Sequence, residues 1–150
     1  MNSALSRRHL LKTAGAGAFG VVAAPFIQRA ALAAGSDLMI CGAWELTAPG
    51  IANTAALCDR GSKLAVKSLA GKLGVAGAYS TVDTEGDPGK GVRKVGEQIS
   101  QRGTKFFVGG ASSAVALAVS KEVNKAGGVY VTTGGADELT GSECAKSTFR

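Results

Sequence analysis

The chain has 150 residues and a formal charge of +6, long enough for one domain with a sizeable core. Four of its 17 basic residues, Arg7, Arg8, Lys12 and Arg29, stand in the first 33 positions with no acid among them, leaving 13 basic against 11 acidic residues and +2 beyond. The basic balance is therefore no nucleic-acid signal, and because the only histidine is His9, residues 34–150 exclude Ser-His-Asp and Cys-His catalysis, histidine metal ligation and histidine pH switching.

The opening stretch Ser6-Arg7-Arg8-His9-Leu10-Leu11-Lys12 resembles the S-R-R-x-F-L-K pattern of the twin-arginine translocation pathway, with Leu10 in place of the commoner Phe. Residues 13–27 are mostly Ala, Gly and Val with Phe19, Phe26 and Ile27, a run too short and weak for a membrane span that reads as a signal h-region. Ala31-Leu32-Ala33 follows as an A-x-A cleavage site. Residues 1–33 are thus expected to be a twin-arginine signal peptide, with the Tat translocase as export partner and the periplasm as destination. The competing reading is a buried N-terminal helix. A lipoprotein start at Cys41 is disfavoured by Ile40, which stands where a lipobox has a small residue. Gly15-Ala16-Gly17-Ala18-Phe19-Gly20 matches the G-x-G-x-x-G dinucleotide fingerprint, but no strand delivers the chain to these glycines, so no cofactor is expected.

From Asp37 onward, short apolar runs alternate with helical patterns, as in a parallel sheet with crossover helices. Leu38–Trp44 reads as a first strand, followed by a loop from Glu45 to Asn53 and a helix from about Ala55 to Lys72. Leu57, Leu64, Ala65 and Leu69 share one face of that helix and are expected to pack inward. Val75–Val82 is a weaker strand, diluted by Gly77 and Ser80. Asp87 caps the next helix, Pro88 opens it, Val92, Val95 and Ile99 form its apolar stripe, and Gly103 ends it. Lys105–Gly109 is a third strand. Ser112 or Ser113 caps a helix carrying Val115, Val119 and Val123, and Gly127-Gly128 closes it. Val129–Val131 is a fourth strand, a glycine-rich acidic loop covers residues 134–143, and Ser147–Arg150 opens another strand. The order β-α-β-α-β-α-β predicts a doubly wound parallel α/β sheet.

In such sheets ligands bind beyond the carboxyl ends of the strands. Three segments qualify: Glu45–Thr54, Gly109–Ser113 and Thr132–Ala136. The last two offer approachable backbone N–H groups and hydroxyls suited to a carboxylate or other small anion, against the plainer reading of ordinary caps and turns. Asp83, Glu85 and Asp87, and Asp137 with Glu138, read as turn and cap residues; no acid–base pair emerges. Trp44 and Tyr130 read as packing residues, and the scattered basic residues form no aromatic-interleaved nucleic-acid patch. Cys41, Cys58 and Cys144 are too few and too widely spaced for a zinc cluster or C-x-x-C motif; in an oxidising compartment one pair could bridge.

Phe107-Val-Gly-Gly-Ala-Ser-Ser-Ala-Val-Ala-Leu-Ala-Val119, Tyr130-Val-Thr-Thr-Gly-Gly-Ala-Asp-Glu-Leu-Thr-Gly141 and Thr148-Phe-Arg150, with Leu46-Thr-Ala-Pro49, Gly61-Ser-Lys-Leu-Ala-Val66 and Gly86-Asp-Pro88, resemble the first lobe of the branched-chain-amino-acid type of periplasmic binding protein, the ABC-transporter receptor family. The resemblance runs over residues 38–150. It implies an incomplete type I lobe over 34–150, lacking a second lobe, and no enzymatic activity. It also implies a small solute such as an amino acid held in an interlobe cleft and handed to a membrane ABC permease. By the same resemblance Ser112, Ser113 and the Gly134-Gly135-Ala136 backbone hold the ligand carboxylate, with Thr54 facing the ligand. Which solute is bound, branched-chain or aromatic acid, amide or urea, stays open. The alternatives are an exported α/β enzyme and a truncated chain without function of its own.

Overall fold

The computed structural model describes residues 38–73 and 77–150. The leader motif, the glycine fingerprint and the cleavage site lie outside the described residues, as do the opening positions of the expected second strand.

Strand β1 (Leu38–Trp44) alternates strictly: Cys41 and Ala43 enter one core, while Leu38, Ile40 and Trp44 face the other side of the sheet. Helix α1 (Ala52–Leu73), strand β2 (Gly77–Asp83), helix α2 (Pro88–Arg102), strand β3 (Phe106–Gly109), helix α3 (Ser113–Lys125), strand β4 (Val129–Thr132), a 3₁₀ turn (Asp137–Leu139) and strand β5 (Thr148–Phe149) follow. All strand pairings are parallel, in the order β2-β1-β3-β4-β5. The expected doubly wound α/β sheet is the one formed, with the chain reversing its direction of travel between β1 and β3.

Helices α2 and α3 pack side by side on one face, where Val95, Val115, Val119 and Val123 meet Cys41, Ala43, Phe107 and Tyr130. The stripe of α3 is the one the sequence predicts; of the expected α2 stripe, Val95 and Ile99 reach the core while Val92 is half-buried outside it, and Gly91 is buried in its place. Asp87 caps α2 by accepting from the Lys90 N–H at 2.7 Å, Pro88 opens it, and Gly103 ends it at φ 65°, a conformation that costs glycine least. Ser112 stands at the cap of α3, but its side chain makes no cap hydrogen bond.

Helix α1 lies on the opposite face, against β1, β2 and β3. It starts three residues earlier than its apolar pattern suggests, because Ala48 O accepts from the N–H groups of Ile51 and Ala52 and winds the preceding turn straight into the helix. Its expected inward face is turned out: Leu57 and Leu64 are each 65% exposed and Leu69 is 48% exposed. The face toward the sheet is instead small and polar, with Ala55 and Asp59 buried and Ser62, Val66 and Ala70 half-buried. Asp59 tolerates burial because Thr81 Oγ1 (2.7 Å), Tyr79 OH (3.0 Å) and Lys63 Nζ (2.7 Å) donate to its carboxylate. Trp44 Nε1 in turn donates to Tyr79 OH at 3.0 Å. A Cβ at Gly42 would lie 2.0 Å from that hydroxyl, so glycine in mid-strand is what admits the network.

Trp44 and Tyr130 are buried packing residues, as expected. The three cysteines are unpaired: Cys41 is buried, Cys58 half-buried and Cys144 exposed, so no pair forms the bridge the sequence left open.

Candidate functional site

The strand order places β1 and β3 side by side at the point where the connections diverge, which is where doubly wound sheets open a crevice at their carboxyl ends. Close backbone approach builds that point. Gly109 has φ 143°, and a Cβ there would lie 2.0 Å from the Ala43 carbonyl; Gly110 has φ 69°, its N–H donates to Ala43 O at 2.9 Å, and a Cβ would meet Tyr130 OH at 2.2 Å. Only glycine serves at either position.

Glu45, the residue after β1, is fully buried and reaches across this point. Its carboxylate accepts from the backbone N–H groups of Ala111 (3.1 Å) and Ser112 (3.2 Å), at the N-terminus of α3. The helix end favours negative charge there. Burial pushes the carboxyl's pKa up, the two N–H bonds pull against that shift, and the charge of Asp83 adds to it. Part of the expected anion cradle is therefore taken by the chain's own carboxylate. What remains open are the half-buried Ser112 and Ser113 and the first-turn N–H groups that an α-helix leaves without an internal acceptor.

The loop after β4 folds against the same helix. Thr132 Oγ1 donates to Gly110 O at 3.2 Å and accepts from the Gly134 N–H at 3.0 Å. Gly134 is buried, and a Cβ there would lie 2.9 Å from the Cβ of Ala116, one turn into α3 from Ser112. Its N–H is thus engaged internally, while Gly135 is exposed and Ala136 half-buried. The Arg150 guanidinium donates to the carbonyls of Gly135 (3.2 Å) and Ala136 (2.9 Å) and fixes that peptide pair from β5. Ser112, Ser113 and Gly134–Ala136 are brought together at neighbouring strand ends. Thr54 lies exposed in the first turn of α1, on the other face of the sheet.

Asp83 ties the first loop to β2, accepting from Leu46 N–H (2.9 Å), Thr47 Oγ1 (2.7 Å) and Glu85 N–H (2.9 Å). Desolvation would raise its pKa, but these donors together hold the carboxyl below the usual range. It is a turn-fixing residue, as its position suggested. Glu45 and Arg150 are the residues sequence reasoning did not single out. The only signal for Glu45 is an acid directly after the first strand, and for Arg150 nothing short of the fold. Among the described residues no group of acidic, cysteine or histidine side chains is arranged to hold a metal.

The sequence profile described as "Periplasmic binding protein" matches residues 40–150. The chain belongs to the periplasmic binding protein family. An amino acid ABC transporter substrate-binding protein from Pseudomonas fluorescens Pf-5 is 44% identical, with TM-score 0.70 over 78% of this chain and 31% of that one. A solute-binding protein from R. palustris, solved with benzoate, is 27% identical, with TM-score 0.68 over 77% of this chain and 32% of that one. The branched-chain amino acid transporter substrate binding protein LivJ from Streptococcus pneumoniae, solved with isoleucine, shares the fold at 19% identity, with TM-score 0.69 over 76% of this chain and 33% of that one. The chain thus spans about a third of the length of the periplasmic binding proteins it matches. A comparison with curated proteins gave no match. The parallel sheet is a partial lobe of the type I periplasmic-binding-protein fold.

Proposed function

We propose that this chain is the N-terminal part of the solute-binding component of an ABC importer, exported by the twin-arginine route and working in the periplasm. Its solute is a small carboxylate, a branched-chain amino acid being the leading candidate. The ligand carboxylate sits at the N-terminus of α3, on the hydroxyls of Ser112 and Ser113 and the backbone of Gly135 and Ala136, with Thr54 at the rim of the cleft. A second lobe closes over it by hinge motion and delivers it to a membrane permease.

The observation that carries this reading is the meeting, at the β1/β3 crevice, of a helix N-terminus bearing two serines with the glycine loop after β4. The relatives solved with isoleucine and with benzoate support a carboxylate as the shared chemistry. The test is a chimera in which residues 38–150 replace the matching third of the P. fluorescens protein, titrated calorimetrically with leucine, isoleucine, valine and benzoate. Binding of one of them, weakened about tenfold or more by Ser113→Ala, is expected for loss of a hydrogen bond to a charged group. An unchanged affinity in Ser113→Ala would remove that serine from the site, and no binding of any of the four would remove the proposed substrate class.

A further inference from the structure

Glu45 and the solute proposed above draw on the same helix end. The Glu45 carboxylate is fully buried and accepts from the N–H groups of Ala111 (3.1 Å) and Ser112 (3.2 Å), the last two before α3 starts at Ser113. Left over are the Ser113 hydroxyl, the Ser112 hydroxyl, which makes no cap hydrogen bond, and the first-turn N–H groups of the helix. Neighbouring donors at a helix end stand about 3 Å apart, so a carboxylate on this second set lies roughly 5 Å from Glu45. Two carboxylates that close do not both stay ionised without a large cost, and the buried one has the least water to screen it.

We propose that Glu45 takes up a proton when an anionic solute binds, so that the N-terminus of α3 holds one negative charge both free and loaded. The role rests on the solute carboxylate sitting at α3, as proposed above. The proton comes from solvent and adds to a Glu45 carboxylate oxygen, and no other bond changes. A carboxylate solute is bound with one proton, a neutral solute with none.

The groups around Glu45 favour this response. Asp83, in the loop after β2, acts on it through space and is kept ionised by its own donors, Leu46 N–H, Thr47 Oγ1 and Glu85 N–H. Lys94 of α2 is engaged with the Asp83 carbonyl at 2.6 Å and with Glu85 at 2.9 Å. From β4 comes the Tyr130 hydroxyl, fully buried behind Gly110, without a hydrogen-bond partner and held neutral by burial. Arg150 of β5 is bound to the Gly135 and Ala136 carbonyls and lies 3.6 Å from Asp137. The first two turns of α3, Ser113–Val119, carry no charged side chain. Burial and Asp83 already push the Glu45 carboxyl upward, and a second anion adds to a shift that has begun.

By linkage, affinity is highest where free Glu45 already carries its proton and falls as pH rises, by up to about tenfold per pH unit, levelling off once the complex has lost the proton too. The test is calorimetric titration of the P. fluorescens chimera carrying residues 38–150 with isoleucine and with benzoate between pH 5 and 8, where the carboxylate of either solute is ionised. Runs at one pH in PIPES and in imidazole, whose ionisation enthalpies differ, give the protons taken up. About 0.5–1 proton per solute is expected, and none in Glu45→Gln, whose affinity is flat with pH. Should that variant not fold, a protonated-carboxyl infrared band that appears when wild type binds solute carries the same information. Binding without proton uptake overturns the proposal and leaves the carboxylate site standing. Uptake that persists in Glu45→Gln also overturns it, since another group then takes the proton. No binding of either solute removes the site and this role with it.

Discussion

The carboxylate of Glu45 and the backbone N–H of Ser112 meet at 3.2 Å across the β1/β3 crevice, joining residues 67 positions apart in the chain. With the matching bond from Ala111, it gives the buried acid and the two N–H groups just before α3 their partners, and leaves the first-turn N–H groups of the helix itself open. Glu45→Ala should therefore cost about 1–3 kcal/mol by urea unfolding, the penalty of orphaned buried donors. Because burial raises the Glu45 pKa in the fold, the acid's contribution is fully present below its unfolded pKa of about 4.3 and is lost as pH rises through the folded value. Wild type should thus lose stability relative to Glu45→Gln as pH rises from 4 toward neutrality. A difference that stays flat with pH would show that Glu45 titrates normally.

Asp59 behaves with the opposite sign. Desolvation works against its charge, but donors from Lys63, Thr81 and Tyr79 outweigh it and lower the pKa. Its stabilisation is present above the unfolded value of about 3.9 and disappears as pH falls through the folded one. Asp59→Ala should lose about 2–3 kcal/mol at pH 7, since it strands the hydroxyls of Tyr79 and Thr81 under α1. The unfolding midpoints of the two proteins should converge in acid.

The chain has two tyrosines, Tyr79 and Tyr130, and neither is free to ionise at an ordinary pH. Burial, with the Asp59 carboxylate close by, pushes Tyr79 up to about 12, and burial pushes Tyr130 higher still. Ultraviolet titration of the folded protein should show no tyrosinate near pH 10. The signal should appear only as alkali unfolds the chain, because phenols whose pKa is raised by the fold contribute stability that is lost as pH rises.

Two glycines with positive φ should respond differently to alanine. At Gly109 the new Cβ would run into the Ala43 carbonyl at 2.0 Å, so Gly109→Ala should cost about 3 kcal/mol or more or prevent folding. At Gly103 nothing lies within 4 Å, and only the left-handed backbone opposes the change, about 1 kcal/mol. Thermal melts of the two variants separate steric clash from backbone preference.

Helices α2 and α3 were legible because a single valine stripe faces a single core. Helix α1 was legible as a helix but not in its rotation. Its leucines point outward while Ala55, Asp59 and Ser62 face the sheet, an arrangement possible only because Gly42 leaves room for the Trp44–Tyr79–Asp59 network. At the site, serine and glycine loops at strand ends could be anticipated from turn chemistry. That Glu45 fills part of the crevice, and that Arg150 braces the Gly135 and Ala136 carbonyls, depends on which strands become neighbours. Spacing along the chain does not carry that information.

The strand order also has a kinetic side. Among the described residues β1 is the first strand made; it pairs with β2 and then waits for β3, and no hairpin among them shortens the delay because all their pairings run parallel. During synthesis α1 and β2 can assemble on β1 early, whereas the Glu45 clamp cannot close until α3 has emerged, 67 residues after Glu45 itself. Until then a charged side chain and an unpaired strand edge both face solvent. Non-local parallel pairing of this kind slows folding and prolongs the exposure of unpaired strand edges. The β1/β3 crevice is therefore among the later parts of the described fold to form.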